Sequence, residues 1–439
     1  MSKKTLAAGV MAATLLTCAS AQAAPTEITF WHAMANTLGD WVADLTAQFN
    51  EKVPQCHLTS IYKGTYDQTM SSGIAAHRAK RSPNILQVFE VGTATMMHSG
   101  GAVVPVGELM QKAGFKFDPK SYIPAVYGYY STADGSMMSF PFNSSTTVLY
   151  LNLDKFKAAG LPTDAAHFPK TWKDIEEAAK KLKAAGEACP MTTSWIGWTQ
   201  LESFSTWHNV EYATKNNGFG GLDARLMVNS PLHQRHLENM ERWNKEGLFV
   251  YKGRGNHADA AFYSGECAIN MGSSGSLGNI RRNAKFEFGT STLPVYDDVP
   301  NAPQNTAIGG ASLWAMAGKS DAENRCVAEF FNFISDPKIQ AASHQRTGYL
   351  PVTMKAFELT KESGYYEKNP GADVAVKQML KTTEKSRGIR LGNLPAIRTI
   401  VDEEFEKIWS GKSTAKEALQ AVVDRGNAEL AKFERQQSK

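Results

Sequence analysis

Two rhythms of apolar and polar residues alternate along the chain, and together they predict an α/β protein. EITFWH (Glu27–His32) reads as a strand and GDWVADLTAQFNEKV as an amphipathic helix. CHLTSIYKG, YDQTMSSGIAAHRAK and NILQVFE repeat the alternation as strand, helix and strand. This βαβαβ opening puts polar residues at strand ends, where open α/β sheets bind ligands. The pattern then restarts. TTVLYLNLDKFKAAG and TWKDIEEAAKKLKAAG predict a strand and helices with Lys/Glu faces and glycine stops, and ECAINMGSS another strand. IGGASLWAM reads as a short apolar strand, AENRCVAEFFNFI as a helix, and the remainder as mainly helical. At 439 residues the chain is too long for one ordinary core, so two domains are expected.

The strand ECAINMGSS runs into NMGSSGSLGNIRR (Asn270–Arg282), a turn rich in glycine and serine that opens a helix. Such a turn aims several backbone N–H groups at one spot and welcomes an anion. Gly272, Gly275 and Gly278 match neither the P-loop nor the dinucleotide fingerprint. On spacing alone the turn reads as a helix cap of small residues.

Composition removes several function classes. With 42% hydrophobic and 21% charged residues the chain is globular. Lys3 and Lys4 precede LAAGVMAATLL and an A-x-A cleavage signal in ASAQA, so residues 1–24 read as an export signal cut after Ala23 or Ala24. The apolar run is shorter than the ~18 residues of a membrane span. LLTC would place Cys18 as a lipid anchor, but Thr17 is a poor residue before a lipidated cysteine, and soluble export is favoured. Losing Lys3 and Lys4 takes the net charge from +4 to +2, with no basic block for nucleic acid. Cys56, Cys189, Cys267 and Cys326 remain, an even number that permits disulfides in an oxidising compartment. No CxxC pair points to a zinc or redox site.

Catalytic signatures are missing as well: there is no H-E-x-x-H and no G-x-S-x-G. His233 and His236 could share a helix face, but without nearby carboxylates they read as a solvated helix surface. Asp297–Asp298 reads as a turn. SWIGWTQLESFSTWH shows little helical or strand regularity and holds Trp195, Trp198 and Trp207. Core packing and apolar walls for a small polyol account for these tryptophans equally well.

YKGTYDQTM, LQVFEVGTATMM, PFNSST, SSGSL, APQN, IGGASLW, TGYLP, YEKNPGAD and RLGNLPAIR strongly resemble the periplasmic glycerol-3-phosphate receptors of ATP-driven (ABC-type) importers, within the maltose-binding-like solute receptors. The resemblance covers essentially the whole mature chain. It implies a two-lobe fold with the ligand between lobes: residues 25–141 and 308–346 in one lobe, 146–302 and 350–439 in the other, and crossings at 142–145, 303–307 and 347–349. It also implies a periplasmic location, no cofactor, no metal and no catalysis, with membrane permease subunits and their ATPase as partners. Within these lobes Cys189 and Cys267 begin strands of the second and are the preferred disulfide pair, while Cys56 and Cys326 belong to the first.

The resemblance implies a binding set of Tyr66, Glu90, Ser145, Ser273, Gly310, Tyr349 and Arg398, with Trp195 and Trp198 as aromatics near the glycerol. The chemistry suits a phosphate monoester. Ser145, Ser273, Tyr349 and the Gly310 N–H are donors, and Arg398 offers a planar fork for the phosphate. Glu90 is expected at the opposite end, accepting from glycerol hydroxyls, and Tyr66 can bridge either. Alternatives are a receptor for glycerophosphodiesters such as glycerophosphocholine, which needs room beyond the phosphate, and a sugar receptor, which needs more stacking aromatics. An exported phosphodiesterase would need metal ligands or a nucleophile that the sequence lacks.

Overall fold

The computed structural model describes residues 24–438. The expected export signal lies outside these residues, apart from Ala24. Among the described residues ten strands form two sheets. In the first, β1 (Thr26–His32), β2 (Cys56–Tyr62), β3 (Ile85–Phe89), β4 (Val103–Val104) and β10 (Gly309–Met316) run in the order β2-β1-β3-β10-β4, and β5 (Phe140–Ser145) also pairs with β10. β1 lies parallel to β2 and β3, joined by the helices Asn36–Lys52 and Tyr66–Arg78, as the alternating pattern predicts. β10 is antiparallel to β3, β4 and β5. It enters this sheet from far along the chain.

The second sheet has the order β7-β8-β6-β9, from β6 (Thr147–Asn152), β7 (Cys189–Thr193), β8 (Cys267–Ser273) and β9 (Phe288–Ser291). Only Thr146 separates β5 from β6, so one extended run leaves the first sheet and enters the second. The helix Leu394–Trp409 packs on the helix Ala415–Gln437, with Ile397, Val401 and Phe405 buried. No helix among the described residues is long and apolar enough to cross a membrane.

Each sheet carries one disulfide. Cys189 and Cys267 are register partners at the starts of β7 and β8 and are bridged. Cys56, which begins β2, is bridged to Cys326 in the helix Asp321–Ile334. Both pairings follow the expectation that each bridge stays on one side of the molecule.

Two expectations need correction. His233 and His236 do not form a solvated surface: both are buried, each about 1% exposed. The His236 ring stacks on Phe204 at 4.0 Å, and its Nε2 lies 3.1 Å from Gln200 Oε1. His233 lies between the hydroxyls of Ser205 and Ser230. Burial holds the His233 imidazole well below its ordinary range, at about 3, and so it packs as a neutral ring. The helix Pro231–Lys245 carries only a thin apolar stripe, and the histidines complete it.

SWIGWTQLESFSTWH is also not irregular. Trp198–Glu202 forms one π-helical turn that continues into the helix Ser203–Trp207. A π turn shifts the 3.6-residue period, so the apolar spacing no longer reads as a helix. Asp297 and Asp298 do lie in a turn, with Asp298 paired to Arg235 at 2.6 Å.

Candidate functional site

A cavity of about 340 Å³ opens where the ends of β3, β5, β8 and β10 converge, and all nine sequence-predicted residues line it. The helix Tyr66–Arg78 starts at a capping box: Thr65 accepts from the Gln68 N–H and the Gln68 side chain accepts from Thr65. That cap fixes Tyr66 at the first helical position, against Phe89 with ring centroids 5.3 Å apart. Three side-chain amide bonds then orient its hydroxyl. Gln87 Oε1 accepts from the Ala33 N–H at 2.7 Å, Gln87 Nε2 donates to Asn143 at 2.8 Å, and Asn143 Nδ2 donates to Tyr66 Oη at 2.8 Å. With Asn143 as its donor, the Tyr66 oxygen keeps its own proton to donate elsewhere. Burial pushes its pKa well up, so that proton stays on.

Ser145 ends β5 opposite Gly309, and Ser273 ends β8 opposite Thr147. Ser273 Oγ accepts from the Gly275 N–H at 3.1 Å, which leaves its hydroxyl proton to donate. Gly310 sits at φ +85°, and a Cβ there would lie 1.8 Å from the Asn143 carbonyl oxygen. Only glycine fits between β10 and β5 at this point. Gly275 is similarly constrained, because a Cβ would lie 2.4 Å from the Tyr349 ring. Tyr349 is buried, and burial raises its pKa. Ser145, Ser273, Tyr66 and Tyr349 therefore bring neutral hydroxyl donors to the cavity wall.

Other wall residues carry charge. Arg398, in the helix Leu394–Trp409, donates from Nε and Nη2 to the two oxygens of Glu202 at 2.9 and 2.7 Å. Its Nη2 also donates to Glu90 Oε1 at 2.7 Å. Glu90 and Arg398, expected at opposite ends, are hydrogen-bonded to each other here. Glu202 was not legible as a site residue, because the π turn that aims it at Arg398 hides its helical spacing. Burial works against the guanidinium charge, but Glu202 and Glu90 outweigh it and hold the Arg398 pKa above its ordinary value. Burial raises the Glu90 carboxyl to about 7, Arg398 opposing and Glu202 adding to the rise.

Between the two sides stand the tryptophans. Trp195 has φ +52°, a strained conformation for a bulky residue, held by its N–H on the Gly255 carbonyl at 2.6 Å. Its ring centroid lies 6.4 Å from that of Tyr66. Trp198 begins the π turn and is buried against Gly309, its indole N–H without a partner among the described residues. Trp207 is buried in the core and does not line the cavity. Asp259, a wall residue the sequence reading missed, accepts from Ser194, from Asn270 at 3.0 Å and from Ser276 at 2.6 Å. No group of three or more His, Cys, Asp or Glu residues among the described residues is placed to hold a metal.

The family model for bacterial extracellular solute-binding protein matches residues 12–373. The chain belongs to the bacterial extracellular solute-binding proteins. Within that family of solute receptors it is 50% identical over 415 residues to the sn-glycerol-3-phosphate-binding periplasmic protein UgpB of Salmonella typhimurium, covering 94% of each chain. It is 49% identical over 431 residues to UgpB of Escherichia coli, covering 98% of each. Among solved structures it superposes on UgpB from Mycobacterium tuberculosis in complex with glycerophosphocholine with a TM-score of 0.79, at 22% identity, covering 92% of this chain and 98% of that one. Maltose-bound MalE3 of Thermotoga maritima superposes with a TM-score of 0.76 at 14% identity, covering 91% and 98%. These likenesses establish the two-lobe solute-receptor fold.

Proposed function

We propose that the protein is a non-catalytic periplasmic receptor that captures sn-glycerol 3-phosphate and delivers it to an ABC import permease driven by its ATPase. The observation that carries this is the convergence of nine residues from distant segments on one cavity, in a chain half identical to glycerol-3-phosphate-binding proteins over nearly its whole length.

The cavity's two sides suit the two ends of the ligand. Ser145, Ser273, Tyr66, Tyr349 and the Gly310 backbone gather at the phosphate end, where the donors are neutral. The Arg398–Glu90 pair faces the glycerol. A hydroxyl both donates and accepts, and a guanidinium beside a carboxylate answers both functions. Trp195 and Trp198 wall the carbon skeleton. Glycerophosphocholine is a second ligand candidate, since a relative of the same fold was solved with it.

We take residues 25–141 with 308–346 as one lobe and 146–302 with 350–439 as the other, the chain crossing at 142–145, 303–307 and 347–349. The separate sheets and the direct passage from β5 to β6 support this division. Glu90 and Arg398 then belong to different lobes, so lobe closure brings them together.

Calorimetry on purified protein tests the assignment. Glycerol 3-phosphate should bind without release of inorganic phosphate, glycerophosphocholine more weakly, and glycerol and maltose poorly. Maltose binding better than glycerol 3-phosphate would overturn it.

A further inference from the structure

The charges fixed around the cavity do not favour a dianion. Arg398 is one cation, while Glu90, Glu202 and Asp259 are three buried carboxyls. These carboxyls differ in how well they are answered. Glu202 takes a bidentate bond from the guanidinium, and Asp259, although burial raises its carboxyl, takes three hydrogen bonds that oppose the rise. Glu90 has one side-chain donor among the described residues, a nitrogen that it shares with Glu202. It is the carboxylate with the weakest claim to its charge.

We infer that the receptor takes up a proton together with glycerol 3-phosphate, and that Glu90 holds it. The inference rests on the glycerol-3-phosphate reading above. A dianion closing into the same cavity adds two negative charges near a carboxylate already short of compensation. Like charges in a buried site favour the protonated acid. Protonation turns the carboxylate into a carboxylic acid that can donate to a glycerol oxygen, and nothing else changes bonds.

The groups that face Glu90 leave few other homes for the proton. Arg398 is already cationic. Tyr66, Tyr129, Tyr130 and Tyr349 surround Glu90 from three elements, and burial keeps all four phenols protonated. Glu202 is bound by the guanidinium fork. Asp67 and Asp402 face Arg398 from their own helices; burial raises both, Asp402 to about 6. Burial raises the Asp259 carboxyl as well, against its three hydrogen bonds, so Asp259, Asp67 and Asp402 are the competing sites; Glu90 is distinguished from Asp259 by having a single, shared side-chain donor.

The test is calorimetry of the full mature protein with glycerol 3-phosphate at pH 8, where the free ligand, with a second pKa of about 6, is a dianion. Repeating it in buffers of different ionisation enthalpy counts the protons exchanged. The wild type should take up close to one proton per ligand, and its affinity should fall roughly tenfold between pH 8 and 9, as one-proton linkage requires. Glu90→Gln should take up almost none, with an affinity flat over that interval. Should that variant not bind, carboxyl ¹³C NMR of the wild type at pH 8 provides the second measurement: one glutamate signal should move to the protonated position on ligand addition. Binding without proton uptake, uptake that persists in Glu90→Gln, or a shifted aspartate signal would each overturn the inference. Absence of any binding by the wild type would instead overturn the ligand assignment.

Discussion

The two sides of the cavity solve opposite problems. Around Ser145, Ser273 and Tyr349 the wall presents neutral donors and a backbone held open by glycine, with the Asp259 carboxyl bonded to Ser276 beside them. Around Arg398 it holds an ion pair and a second carboxylate, the part proposed to meet the glycerol hydroxyls. Neutral donors can hold a phosphate that must later be released, because no buried counter-ion must be separated from it. A charged pair can discriminate a diol, because both its donor and its acceptor must be matched or be left unpaired in a buried site. In this arrangement Arg398, expected as a phosphate fork, links Glu202 and Glu90.

The charged side should be the easier to break. Arg398→Ala leaves Glu90 and Glu202 buried without their shared cation, a loss on the order of 3–5 kcal/mol. Glycerol 3-phosphate binding should become undetectable by calorimetry, and the melting temperature should fall by several degrees. Arg398→Lys keeps the charge but cannot serve both carboxylates, so it should recover stability before it recovers affinity. An Arg398→Ala protein that binds normally would remove the charged side from the site.

The hydroxyl side should erode gradually. Ser273→Ala and Tyr349→Phe each remove one neutral donor, about 0.5–1.5 kcal/mol, or roughly two- to twelvefold in Kd by titration. Their effects should be larger for glycerol 3-phosphate than for any residual glycerol binding. If the two variants weaken both ligands equally, the phosphate does not lie on this side.

The tryptophans lie between the two, and ligand should change their emission. Trp195→Phe and Trp198→Phe measured separately will show which indole reports, and loss of the signal only in the double variant means that both do. A double variant with the full wild-type change would place neither beside the ligand.

Reduction of the disulfides should touch neither side. Cys56–Cys326 and Cys189–Cys267 each stay with one sheet, so reduction should lower the melting temperature while Kd changes less than twofold. A large loss of affinity in protein that is still folded would mean that a bridge governs lobe closure.

The parallel opening of the first sheet was legible because it is local: β1, β2 and β3 follow one another with amphipathic helices between them, the second started by a capping box, and the strands carry apolar residues in short, partly alternating runs. The crossing of β10 into that sheet was not visible in its apolar run, which shows a strand but not its partners. At the site, resemblance to the glycerol-3-phosphate receptors picked out nine of the wall residues. It could not show that Arg398 is already occupied, since Glu202 lies 196 residues away and its aim depends on a π turn. The buried histidines failed for a similar reason: a polar ring on a helix reads as exposed until its stacking partner, Phe204, is placed.

The sequence by itself determined which segments become strands and helices, because that depends on the spacing of neighbouring apolar residues and on caps within a few positions. It also determined that the chain carries small-residue turns and hydroxyls at strand ends. Tertiary structure alone decided how the charges are shared. Whether a guanidinium is free or shared between two carboxylates depends on distances of about 3 Å between residues hundreds of positions apart, and on the burial that makes an unanswered charge costly.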